Sequence, residues 1–232
     1  MKTLGIIGGI GPEATIDYYK SIMAIHRELD PEADAPPILI KSINLKRAIE
    51  LVSSNRLLEL AAYFVDEIRI LAQAGADFGL LAANTPHIVF EEIASASPIP
   101  LISIVEATRD YAEKMGFSRV GLLGTRFTMK ASFFPKVFAR KNIDIRVPND
   151  ADQDYLHDKY FSELVKGVFL DDTRSELLRI IQRMKESEGI QAVILGGTEL
   201  PLILRNTDPG TAFLDTTQIH VRAALERLTG SD

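Results

Sequence analysis

The chain has 232 residues, 46% of them hydrophobic and 25% charged, and a net charge of −6. This is an ordinary globular balance, long enough for one large domain or two of roughly 100 residues; the acidity leaves no basic field for a phosphate backbone and argues against nucleic acid as a partner. There is no cysteine, which excludes disulfides, thiolate metal sites and cysteine nucleophiles together.

The opening MKTLGIIGGIGPEATIDYY does not read as a signal peptide, because its apolar run is short, Gly-rich and followed by Glu13 and Asp17. No apolar stretch approaches the roughly 20 residues of a membrane span. The expectation is a cytoplasmic protein with no membrane partner. Leu4 to Ile7 reads as a fully buried strand, and Pro12 suits the first turn of a helix from Ala14 to about Leu29. After the loop DPEADAPP, Ile38 to Ile43 is the next strand. Asn55 to Gln73 is a helix with its apolar face at Leu57, Leu60, Ala61, Phe64, Ile68 and Leu71. Phe78 to Ala82 is a strand, and a helix begins after Thr85-Pro86. Pro100 to Ser103 is a strand, followed by a helix from Val105 to Met115. Short apolar runs alternating with amphipathic segments predict βαβ units and a mainly parallel sheet.

The pattern then restarts. VGLLGTRFTMKASFF, from Val120, reads like LGIIGGIGPEATIDYY, from Leu4. AVILGGTELPLIL, from Ala192, reads like GLLAANTPHIVF, from Gly79. Two matched strand-turn-helix signals in the same order suggest an internal duplication. A period of roughly 115 residues is too long for a solenoid. The fold class is therefore α/β, with two pseudo-symmetric Rossmann-like halves, each a mainly parallel sheet flanked by helices. The expected halves are residues 1–99 with 209–232, and 100–208. The last helix, Thr216 to Leu228, is expected to pack back on the first half.

Four loops at strand ends carry the candidate chemistry. Gly8-Gly9-Ile10-Gly11-Pro12-Glu13-Ala14 contains a G-x-G-x-x-A pattern between strand and helix. A dinucleotide site would need an acidic residue about 20 residues on, at the end of the second strand; that strand ends in Ser42-Ile43-Asn44. Pro12 also sits where the loop would hug a pyrophosphate. The simpler readings are a helix N-terminus bared to a small carboxylate, with Gly9 in the turn, or a tight turn with no ligand. Asn84-Thr85-Pro86-His87 and Gly196-Gly197-Thr198-Glu199 lie at the carboxyl ends of their strands, where such sheets bind ligands. Their Thr hydroxyls and Asn amide suit a carboxylate or ammonium, and N-capping by Thr85 and Thr198 is compatible with that role. Thr125 and Thr128, in GTRFTMK, form a third such turn. His87 reads either as an acid or base or as a partner of its helix start. His26 and His157 read as surface or satisfied residues. Four histidines without cysteine show no metal-ligand spacing, so no metal is expected.

IGGIGPEAT, AANTPH, LLGTRFTM and ILGGTELPL, in that order, resemble the aspartate/glutamate racemase family over essentially the whole chain. The resemblance implies two α/β halves around a cleft, a homodimer, a small acidic amino acid or related carboxylate as ligand, and no pyridoxal or other cofactor. It also implies two opposed thiols, one in a Cys-Asn-Thr turn and one in a Gly-Cys-Thr turn, which take and return the α-proton. The matching positions here are Ala83 and Gly197, neither of which can move a proton. Some relatives replace the first Cys, and AANTPH suggests that subgroup. The binding parts remain in Gly9, Asn84, Thr85, Thr125, Thr128 and Thr198, and Arg47 and Lys166 fall near the family's positions for the substrate's side-chain carboxylate. Three readings stand: an isomerase or lyase using another base, such as His87 or Glu199; a binding or regulatory protein that kept the cleft and lost the chemistry; and an active chain in which Gly197 is an introduced substitution.

Overall fold

The computed structural model describes residues 1–204, 207 and 210–230. They form two compact units, Met1–Ile104 with the chain from His220 on, and Val105–Ile219.

The first unit contains, in chain order, β1 (Leu4–Gly8), α1 (Pro12–Leu29), β2 (Ile38–Ser42), α2 (Leu45–Ser53), α3 (Leu57–Gln73), β3 (Phe78–Leu81), a 3-10 turn (Thr85–Val89), α4 (Phe90–Ala96) and β4 (Leu101–Ile102). Its sheet has the order β2-β1-β3-β4, all parallel. The fully apolar strands are explained by burial on both faces. Successive side chains point to opposite sides of the sheet. Ile6 and Leu80 join a core with Tyr18, Ile22 and Val221, while Ile7 and Leu81 join one with Phe64, Ile68 and Ile93.

The second unit begins with α5 (Ile104–Lys114), whose first residue is the last of the first unit before the crossing. It contains β5 (Arg119–Gly124), α6 (Arg126–Lys130), α7 (Phe133–Ala139), β6 (Asp144–Arg146), α8 (Asp150–Ser162), a 3-10 turn (Leu164–Lys166), α9 (Asp171–Glu188), β7 (Ala192–Gly196), α10 (Leu200–Leu204) and β8 (Ala212–Asp215). Its sheet, β6-β5-β7-β8, is again all parallel. The two sheets have one topology: β1 corresponds to β5 and β3 to β7, with Gly8 and Gly124 closing the corresponding strands. That shared order supports the duplication read from the repeated motifs.

α11 (Thr216–Thr229) completes the chain's elements, and from His220 on it belongs to the first unit. Its Val221, Ala224, Leu225 and Leu228 pack with Leu4, Ile6 and Tyr18. The crossings fall later than the expected boundaries. Leu101 and Ile102 pair with Gly79 and Leu80, so β4 belongs to the first sheet and the first crossing is at 104/105 rather than 99/100. β8 pairs with β7, and the second crossing is at 219/220; the expected boundary, 208/209, lies outside the described residues. α2 is an addition to the sequence reading, capped by the Asn44 side chain, which accepts from the Arg47 N–H at 3.2 Å.

Candidate active site

In each sheet the chain leaves the central strand in one direction and returns on the other side, so the carboxyl ends of β1 and β3, and of β5 and β7, flank a topological switch point, the usual ligand position in such sheets. The motifs singled out in the sequence fall at these two places, and each unit is described by itself.

In the first unit, the loop after β1 turns on Gly9 and Gly11, at φ 78° and 87°. Left-handed backbone of this kind favours glycine. The Gly9 N–H donates to Thr15 Oγ1 at 2.8 Å, and that hydroxyl donates to Gly11 O at 3.2 Å. The loop therefore satisfies its own Gly9 donor. After β3 come Ala83, Asn84 and His87, all buried, with Thr85 half-buried. The N-cap position of the 3-10 turn is Asn84, whose side chain makes no cap bond. His87 Nδ1 donates to Ala83 O at 3.1 Å, and Nε2 accepts from the Ile104 N–H at 3.3 Å. The ring stacks on Phe90 with centroids 4.7 Å apart. Burial, and then the nearby His220, push the His87 pKa down to about 3. A neutral imidazole bonded at both nitrogens to the backbone is a clamp between the turn and the start of α5. His220 is held likewise: Nε2 donates to Ile102 O at 3.0 Å, so Nδ1 accepts from the Tyr18 hydroxyl at 2.9 Å.

Arg47, on α2, lies over the Tyr63 ring at 4.5 Å, and the Tyr63 hydroxyl accepts from the Asn44 N–H at 3.0 Å. An open pocket of ≈370 Å³ is bordered by Asn44, Lys46, Arg47 and Arg56, with Glu50 and Glu59. Arg47 is exposed, so its charge is available to solutes.

In the second unit, Thr125 caps α6: its Oγ1 accepts from the Thr128 N–H at 3.2 Å, and the two hydroxyls are 3.2 Å apart. The Arg126 N–H donates to His157 Nδ1 at 3.2 Å. Burial, and then Arg126, lower the His157 pKa. Beyond β7, Thr198 does not cap as expected; its Oγ1 donates to Glu199 Oε2 at 3.1 Å. The same carboxylate oxygen accepts a short hydrogen bond from the Tyr160 hydroxyl. Tyr160, Thr198 and Glu199 are all buried. Burial and the charge of Glu199 push the Tyr160 pKa well above the ordinary phenol range. A Cβ at Gly197 would stand 2.5 Å from Tyr160 Oη and Cε2 and 2.8 Å from Cζ. The φ of Gly197 is not in the left-handed range. Glycine is needed at 197 because Tyr160 approaches the backbone, not because the turn demands it. Lys166 is exposed at the end of its 3-10 turn, before Gly167 at φ 72°.

The family model for Asp/Glu/hydantoin racemase matches residues 7–224. The chain belongs to this family. A crystal structure from Yersinia pestis, described as a candidate Asp/Glu racemase, is similar with a TM-score of 0.88 and 30% identity, covering 99% of this chain and 100% of that one. An aspartate racemase homologue from Pyrococcus horikoshii OT3 has a TM-score of 0.84 and 36% identity, covering 99% of this chain and 100% of its own. The broad-specificity amino-acid racemase RacX of Bacillus subtilis (strain 168) is 27% identical over 137 residues, which span 58% of this chain and 59% of RacX. The two crystal structures share the two-sheet α/β architecture found here. At the positions that the resemblance assigns to thiols, this racemase-family chain has Ala83 in the first unit and Gly197 in the second. Among the described residues, no group of three or more His, Asp and Glu could hold a metal ion, and no helix is long and apolar enough to cross a membrane.

The one participant sequence reasoning missed is Tyr160. It lies mid-helix in α8, 39 residues from Glu199, and nothing in YLHDKYF points to Gly197. The only hint is the glycine itself, standing where the family pattern has a larger side chain.

Proposed function

We propose that the chain binds a small acidic amino acid or a closely related carboxylate and does not racemise it by the two-thiol route. The observation that carries this is the pair Ala83 and Gly197, with the space beside Gly197 filled by Tyr160. By resemblance to the family, Asn84 and Thr85 are the first unit's polar groups for the ligand, and Thr125, Thr128 and Thr198 those of the second unit. Arg47 and Lys166 supply the charge for a second carboxylate. Gly9 shapes its loop rather than donating, since Thr15 takes its N–H. His87 holds the turn in place rather than moving protons. By resemblance to the family, the protein works without pyridoxal phosphate, as a cytoplasmic homodimer. The test is calorimetry with L- and D-aspartate and glutamate, alongside chiral chromatography of the same incubations. Binding without racemisation is expected. Racemisation at a rate typical of an enzyme refutes the loss of two-face chemistry, and no binding at millimolar ligand refutes the ligand class.

The second reading, a catalytically silent binding protein, draws on His87. With both ring nitrogens bonded to backbone and the pKa lowered to about 3, His87 is occupied.

A further inference from the structure

We infer that Tyr160 and Glu199 form a proton relay in the second unit, standing in for the missing thiol at position 197 and serving one face of the ligand only. This rests on the acidic amino-acid reading above and extends it to chemistry.

The geometry is specific. The Tyr160 hydroxyl lies 2.5 Å from where the Cβ of a side chain at 197 would stand. The phenol thus brings a transferable proton to the end of β7 from α8 rather than from the turn. Its partner is Glu199 Oε2, which also accepts from Thr198 Oγ1. The Glu199 N–H also donates to the phenol oxygen at 3.5 Å. Every group sits in the second unit and is buried.

The chemistry follows from which group resists charge. Ionising a buried phenol beside a carboxylate is unfavourable, so Tyr160 does not act as a free tyrosinate. In the relay it never needs to. The ligand's Cα–H bond breaks and its electron pair stays on the ligand, delocalised into the adjoining carboxyl group. The proton passes to Tyr160 Oη as the phenol's own proton passes to Glu199 Oε2. Tyr160 ends neutral, Glu199 ends as a neutral acid, and the reverse transfer restores both. The same pair takes and returns the proton. The relay therefore exchanges the α-proton with retention of configuration.

The experiment is incorporation of solvent deuterium at Cα of L- and D-aspartate and L- and D-glutamate, read by mass spectrometry and NMR. The expected result is deuterium in one enantiomer of a bound ligand without appearance of the other. Tyr160→Phe, which keeps the ring against Gly197 and removes only the hydroxyl, should lower exchange by about 10²-fold or more. Glu199→Gln should do the same. Calorimetric affinity should hold in both variants. Exchange at the parental rate in a folded Tyr160→Phe or Glu199→Gln protein overturns the relay. Absence of exchange in the unaltered chain also overturns it, and if calorimetry still shows binding, the ligand assignment survives. Absence of binding as well sinks both.

Discussion

The two switch points have the same strand order and the same kind of turn, yet they are held by different interactions. In the first unit the residues after β3 are fixed by an imidazole bonded at both nitrogens to main-chain groups. In the second, the residues after β7 are fixed by a side-chain couple, a phenol on a carboxylate with a threonine hydroxyl beside it. A main-chain-bonded imidazole is rigid and, while neutral, spends both its donor and its acceptor. A phenol–carboxylate pair keeps a proton that can shift along its bond. One duplicated frame has thus been given a clamp on one side and a mobile proton on the other.

The largest effect that should separate them is acid sensitivity. His87 and His220, both in the first unit, are pushed down to about 3 and about 4 from an ordinary value of 6.5. Between those values and 6.5 the unfolded chain binds more protons than the folded one. Their contribution is whole above about pH 6.5 and declines as pH falls toward the folded values. Every tenfold weakening of proton binding on folding corresponds to about 1.4 kcal/mol, so two rings amount to several kcal/mol. In the second unit, Glu163 and Glu176 are lowered from 4.5, Glu176 by Arg179 and Arg183, and Glu163 by Lys159 and Thr173 against the opposing effect of burial. Their contribution is present above 4.5 and lost as pH falls through the lowered values. The partly buried His157, also lowered, adds a smaller early loss there. Hydrogen exchange followed from pH 7 to 4 should show the first unit losing protection earlier than the second. His87→Gln should flatten that dependence, and simultaneous loss in both units would contradict the contrast.

The next effect concerns Gly197. Gly197→Ala puts a Cβ 2.5 Å from Tyr160, and overpacking of this kind costs about 1–3 kcal/mol. Tyr160→Ala costs stability alone, but in the double variant the penalty at 197 should largely vanish. The denaturant midpoints of the four proteins give the coupling. Additive effects would show that the phenol and the glycine are not a matched pair. Restoring a thiol by Gly197→Cys meets the same obstacle, so a cysteine at 197 needs a smaller residue at 160.

The smallest effect is at Thr125. Thr125→Ala removes the acceptor of the Thr128 N–H and should cost about 1 kcal/mol, as cap losses do. No equivalent loss is expected from Thr198→Ala through capping, because that hydroxyl donates to Glu199 instead. Thermal melts of the two variants make the comparison.

The repeated architecture was legible in the chain because both sheets are covered on both faces, which turns their central strands into uninterrupted apolar runs. LGIIG and AVILG are buried at every position. The edge strands β6 and β8 were not legible: DIR and AFLD are short and partly exposed and carry no such run. α2 escaped because its apolar face is narrow, with only Ala48 and Leu51 buried. At the site, the turns could be placed from their spacing, since each closes an apolar strand. What local sequence could not show was which groups their polar atoms choose. His87 takes backbone partners 4 and 17 residues away, and Tyr160 reaches its glycine only through the tertiary fold.

The assignment of α11 to the first unit has a consequence for biosynthesis. Leu4, Ile6, Tyr18 and Ile22 leave the ribosome early, but the Val221, Ala224, Leu225 and Leu228 side chains that cover them emerge only after the whole second unit. The second unit can close while the first still shows an uncovered apolar flank. The usual order, first-made part first, therefore leaves that flank of the N-terminal half uncovered until the last helix is made.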